Sequence, residues 1–256
     1  MTTKAVLVGL SPDTDSIATI TWAAEYAGRL DAPLRVVLAE SGNLPALYNA
    51  AAALRARYPH LSLSATTAEG GLADALLDRT AEAHLVVVDR EAAKAGVASA
   101  VAAEASCPVA AVAPGTGWDD GDRPILVGAD GTEHSEQALR WAFAEAHRLG
   151  RGVRVVHCGS ATGARNSVFD LVSLFAGRYP AMAVQVHTLK CTPAEALAWH
   201  SQFASMVVIG HREHGLGGRT YRKVLREAAC PVVVAGPETT LDVALAAASA
   251  MDTVRS

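Results

Sequence analysis

The chain has 256 residues, 50% of them apolar, 19% charged and 5% aromatic, enough to bury a sizeable core as one large domain or two small ones. Its 22 Lys and Arg against 26 Asp and Glu leave a formal charge of −4, so no bulk attraction draws it onto nucleic acid or an acidic membrane. No leader-like segment opens it and no apolar run approaches the roughly 20 residues that span a bilayer, so it is expected in the cytoplasm.

In chain order the elements repeat. VLVGL at 6–10 predicts a first strand, WAAEYA at 22–27 lies in a first helix, and VVL at 36–38 predicts a second strand. Arg-Tyr-Pro follows at 57–59, and Cys107-Pro108-Val109 opens the last strand. APGTGWDDGDRP at 113–124 reads as an exposed linker. The series then returns: ILVGA at 125–129, WAFAEA at 141–146 and VVH at 155–157, each 119 residues on. Arg-Tyr-Pro returns at 178–180 and Cys-Pro-Val at 230–232, so the offset drifts by only a few residues. This is a duplication with short loop insertions. The predicted division is a first domain over 1–115, a linker over 116–123, a second domain over 124–238 and a tail over 239–256.

In the second copy strands are expected at 125–129, 153–158, 183–189, 206–209 and 231–235, with helices between them. Most are apolar throughout rather than alternating, which predicts a parallel sheet covered on both faces. Thr192-Pro193-Ala194-Glu195 reads as a capping box that starts the third helix of this copy. Trp22 and Trp141 sit among Ala and Leu on the first helices and are expected in the core. In the tail, Leu241, Leu245 and Ala248 recur at helical spacing, and such a helix forms only if it docks.

The DGT turn after the first strand, the ALRWAFAEA helix, the VVH strand and the REAACPVVV ending closely resemble the universal stress protein family. The resemblance covers nearly all of 124–235 and, more weakly, 4–113, so the chain looks like a tandem member of actinobacterial type. It implies an α/β fold of two tandem flavodoxin-like (adenine nucleotide α-hydrolase-like) domains. Each would be a five-stranded parallel sheet ordered 3-2-1-4-5 with helices on both faces. A crevice would lie at the C-terminal ends of strands one and four, where the strand order reverses. The two sheets are expected to remain separate and to pack as a pseudo-twofold pair, with Val109–Val112 and Val232–Ala235 near the interface.

In nucleotide-binding members of the family an Asp after strand one helps hold the adenosine. A loop of Gly, two residues, Gly, nine residues, Gly and Ser or Thr wraps the phosphates, because backbone N–H groups must approach phosphate oxygens closely. Here Asp130 matches the Asp, Gly210 the first glycine and Gly218 the last. Glu213 stands at the second glycine, Arg219 replaces the hydroxyl residue, and the loop is five residues short. The resemblance thus nominates Ala129, Asp130, Cys158, Ile209, Gly210, Gly217, Gly218 and Arg219 as cofactor-binding positions, with ATP or another adenine nucleotide as the candidate ligand, bound weakly or not at all. In the first copy Ser11 replaces the Asp and Asp89 the first glycine, and Asp89 and Glu91 are expected to repel phosphates, leaving this copy nucleotide-free.

Plainer readings compete at each position. Asp130-Gly131-Thr132 also reads as a strand-to-helix turn with a capping residue. His211 and His214 lack a third ligand at a recognisable spacing, which points to a solvated loop rather than a metal pair. The four Cys, without CxxC spacing, read as packed thiols of a reducing compartment, Cys158 being the nearest to the crevice. No catalytic residue and no metal ligand is nominated. The expected function is a universal stress protein-like regulator without turnover, acting through an unknown protein partner and able to form homo-oligomers. An enzyme or small-ligand-binding protein that has reused the second crevice is the alternative, and a purely structural module a third.

Overall fold

The computed structural model describes residues 4–11, 17–39, 44–94, 96–118, 121–159, 162–211 and 219–236. The first half runs β1 (Ala5–Leu10), α1 (Ile17–Arg29), β2 (Leu34–Leu38), α2 (Leu44–Arg57), β3 (Leu63–Thr67), α3 (Leu72–Leu77), β4 (Ala83–Asp89), α4 (Arg90–Lys94), α5 (Val97–Glu104) and β5 (Val109–Val112). The second runs β6 (Ile125–Gly128), α6 (Glu133–Leu149), β7 (Val153–Cys158), α7 (Thr162–Arg178), β8 (Val184–Leu189), α8 (Pro193–His200), β9 (Met206–Gly210), α9 (Arg219–Glu227) and β10 (Val232–Ala235). The predicted tail helix lies outside the described residues.

Among the described residues the strands form one sheet in the order β3-β2-β1-β4-β5-β10-β9-β6-β7-β8. Each half keeps the expected 3-2-1-4-5 order and is parallel throughout. The expectation of two separate sheets is overturned. β5 and β10 pair antiparallel, Val233 opposite Ala110 and Val234 opposite Val109, and fuse the halves into one ten-stranded sheet. The cause is legible in the strands themselves, VAAV and VVVA, which are buried along their whole length. Left as edges, they would present unpaired N–H and C=O groups on an apolar ribbon, and pairing satisfies both rows at once.

The sheet is doubly wound because its strands are apolar on both faces. Val6, Val8 and Leu10 of β1 face a core shared with α1 and, in the other half, with α6 and α7. Leu7 faces the opposite core, built on α3, α5, α8 and α9. Trp22 and Trp141 are buried in the first of these cores, as expected. The capping box is present in full: the Thr192 hydroxyl accepts from the Glu195 N–H while the Glu195 carboxylate accepts from Thr192.

Contacts on both faces of the sheet hold the halves together beyond the ladder. Arg90, at the start of α4, is buried and donates to the carbonyls of Ala228 (3.0 Å) and Cys230 (3.5 Å) in the other half. On the opposite face Glu145 of α6 is 1% exposed, and its Oε2 lies 3.2 Å from Arg148 Nη1 and 3.3 Å from His84 Nε2 of β4. His84 Nε2 is 3.1 Å from the Tyr26 hydroxyl. Burial, and then the Glu145 carboxylate, push the Tyr26 phenol well above its ordinary value, which holds it as a neutral donor. The linker, expected to be exposed, departs from that at Trp118. This ring packs on Trp22 and Tyr26 and lies under Arg29 of one half and Arg151 of the other.

Candidate functional site

Both candidate crevices lie where the sheet order reverses within a half, between β1 and β4 and between β6 and β9. In the second half the chain leaves β6 through Ala129, whose N–H donates to the Val156 carbonyl and whose own carbonyl accepts from His157 Nδ1 at 3.0 Å. Asp130 follows. Its Oδ1 accepts from the Thr132 N–H (3.1 Å) and hydroxyl (2.6 Å), so the carboxylate closes the turn into α6 as the plainer reading anticipates. Gly131 takes φ +82, and a Cβ there would approach Ser167 Cβ at 3.0 Å and the Ala164 carbonyl at 3.1 Å. The turn is therefore pinned against α7, and only glycine meets both its conformation and its clearance.

Gly210 ends β9 against the first turn of α6, where a Cβ would run into the His134 carbonyl. Packing alone thus requires this glycine. Ile209 is half-buried and comes close to Gly128, on the other side of the crevice floor. Ala129, Asp130, Ile209 and Gly210 are brought together at this rim. Cys158 is one strand away, at the end of β7, half-buried and packed on the α8–α9 side of the sheet. Burial pushes its thiol up to about 12, and the neighbouring Cys191 thiol adds to the shift. Arg219 is the first residue of α9, while Gly217 and Gly218, with Glu213 and His214, lie outside the described residues.

Two residues at this site escape motif reading. His157 is buried, and with Nδ1 committed to Ala129 its Nε2 has no hydrogen-bond partner among the described residues. That nitrogen lies 3.6 Å from where a Gly159 Cβ would stand, so it faces the exit of β7. His211, expected in a solvated loop, is instead buried, its N–H donating to the Ala235 carbonyl as the chain leaves β9. The β9–β10 pairing carries one residue further than the apolar run and takes His211 inside with it.

The first crevice is organised differently. Asp89, expected to face incoming phosphates, is 1% exposed, with Oδ1 accepting from the Ala92 N–H at 2.7 Å and Oδ2 from the Ser11 N–H at 3.1 Å. Its carboxylate caps α4 and ties the end of β4 to the end of β1. Glu91 points away and pairs with Lys94 at 2.7 Å on the surface. The expectation of like-charge repulsion by both residues therefore gives way to a plainer cause: backbone donors at this rim already hold an internal anion. An open groove of about 470 Å³, lined by Arg165, Phe169, Asp170 and Thr188 among others, lies apart from both crevices between α7 and β8.

The duplicated, doubly wound sheet ordered 3-2-1-4-5 in each half defines a flavodoxin-like α/β protein. Residues 122–167 match the universal stress protein family. A universal stress protein of Mycobacterium tuberculosis is 34% identical over 167 residues, and the match spans about half the length of each protein, 54% of this chain and 55% of the relative. A second from the same organism is 29% identical over 276 residues, covering 91% of this chain and 96% of its own. Among solved structures, a universal stress protein from Archaeoglobus fulgidus shares the fold with a TM-score of 0.65 at 17% identity, over 90% of this chain and 98% of that one. Together these comparisons support a tandem-domain universal stress protein. Among the described residues no helix is long and apolar enough to cross a membrane.

Proposed function

We propose that the protein is a cytoplasmic universal stress protein that regulates through protein contacts without turning over a substrate, and that its two crevices have unequal roles. The observation that carries this reading is the Asp89 carboxylate seated on the Ser11 and Ala92 N–H groups. A nucleotide in the first crevice would have to displace a buried, hydrogen-bonded anion before placing its own phosphates there. Among the described residues the second crevice keeps Asp130 and Gly210, and His157 Nε2 supports a small polar ligand at its β7 side. An adenine nucleotide is the candidate, held weakly because the loop after β9 is short and carries Glu213.

Calorimetric titration of the full chain with ATP tests this. At most one site of micromolar or weaker affinity is expected, lost in Asp130→Ala and unchanged in Ser11→Ala. Two sites, or one of submicromolar affinity, would overturn the reading.

A further inference from the structure

We propose that Cys158 and Cys191 form a reversible dithiol–disulfide pair at the rim of the second half, oxidised by a low-molecular-weight disulfide. The topology brings them together. β7 and β8 run parallel with Cys158 opposite Leu189, and the Gly159 N–H donates to the Leu189 carbonyl as both strands end. The chain bends at Lys190 and Cys191 directly after this pairing, which makes the two thiols neighbours. Residue 191 is anchored on its far side, since Thr192 is the N-cap of α8 and its capping partner Glu195 reaches Lys223 of α9 at 3.5 Å. Neither thiol needs a large excursion to meet the other, which is the geometric condition for a disulfide.

Their exposures divide the labour. Cys191 is exposed and meets a dissolved disulfide first, whereas Cys158 is half-buried and shielded from it. The Cys191 thiolate attacks one sulfur of R–S–S–R, forming a mixed disulfide and expelling one R–S⁻, which takes up the proton that Cys191 lost. Cys158 then loses its proton and its sulfur attacks Cys191 Sγ, expelling the second R–S⁻, which leaves as R–SH. Two protein thiols have given up two electrons and two protons, and one small disulfide has become two small thiols. Held as a thiol by burial, Cys158 reacts only once the mixed disulfide stands beside it. Cys107 and Cys230, both buried at the start of their last strands, take no part.

The product bond would join the exits of β7 and β8 and so fix the wall of the crevice next to His157. This inference does not depend on nucleotide binding. The test is incubation of the reduced full chain with oxidised glutathione, followed by alkylation under denaturing conditions and peptide mapping by mass spectrometry. The expected wild-type product has lost two hydrogens, carries no glutathione, yields one peptide pair joined through Cys158 and Cys191, and returns to the dithiol with dithiothreitol. In Cys158→Ser glutathione should persist on Cys191 at about tenfold its wild-type level, and in Cys191→Ser neither product should form. Glutathione retained on the wild-type chain as on Cys158→Ser, a bond to Cys107 or Cys230, or no reaction would each overturn the proposal. The wild-type map decides the matter even if a variant fails to fold.

Discussion

The Ser11 N–H donates to the Asp89 carboxylate at 3.1 Å, joining the ends of two adjacent strands 78 residues apart in the chain. With the Ala92 N–H on its other oxygen, the carboxylate has a partner for each. Asp89→Ala is expected to destabilise the chain by roughly 3 kcal/mol, the worth of two hydrogen bonds to a buried charged acceptor, and Asp89→Asn by less because one acceptor survives. Urea unfolding followed by circular dichroism measures both. A neutral effect of Asp89→Ala would mean that water replaces the carboxylate at no cost.

Gly210→Ala should cost about 3 kcal/mol or more, because the new methyl meets backbone, not a side chain able to turn aside. The loss should be the same with and without ATP. A variant that keeps the wild-type melting temperature but loses nucleotide binding would show that the glycine serves a ligand instead of packing.

Arg90→Ala leaves two carbonyls of the other half without their buried donor, at a cost of roughly 1 to 3 kcal/mol. Because the contact crosses the central junction, the expected signature is a loss of cooperativity in thermal unfolding, with the two halves melting separately. A single, undisplaced transition would show that the β5–β10 ladder and the aromatic contacts around Trp118 suffice.

Burial pushes the Cys107 thiol from its ordinary value of 9.0 up to about 12. Above pH 9 the unfolded chain releases this proton and the folded chain does not, so the stability associated with the neutral thiol is lost as pH rises from 9 toward 12. The slope is about 1.4 kcal/mol per pH unit for one such group. Cys107→Ala should flatten this decline, read as melting temperature against pH, and an unchanged profile would mean that Cys107 does not titrate differently in the two states.

Much of the fold was legible because it rests on local rules. The strand at 153–158, the Thr192–Glu195 box and the two buried tryptophans follow from periodicity and capping chemistry alone. The fused sheet was not legible, because which strand a free edge pairs with is a relation between the two copies and leaves no periodic trace in either. The site divided the same way. Asp130 and Gly210 stand where the motif puts them, yet the motif records residue types at spacings and not which way a side chain turns. Asp89 turned inward onto backbone donors, His211 was carried inside by the β9–β10 pairing, and the contact of Cys158 with Cys191 depends on a parallel register between strands far apart in sequence.

The antiparallel junction of β5 and β10 also bears on how this chain can change. When two identical subunits meet across a symmetry axis, every substitution is made twice, and a residue that closes one crevice closes both. Joined in one polypeptide, the corresponding positions at the end of the fourth strand of each half hold different residues, Asp89 and Gly210, under the same backbone plan. Either half is thereby free to change without its twin. Covalent linkage here converts symmetry from a constraint into a starting point for divergence.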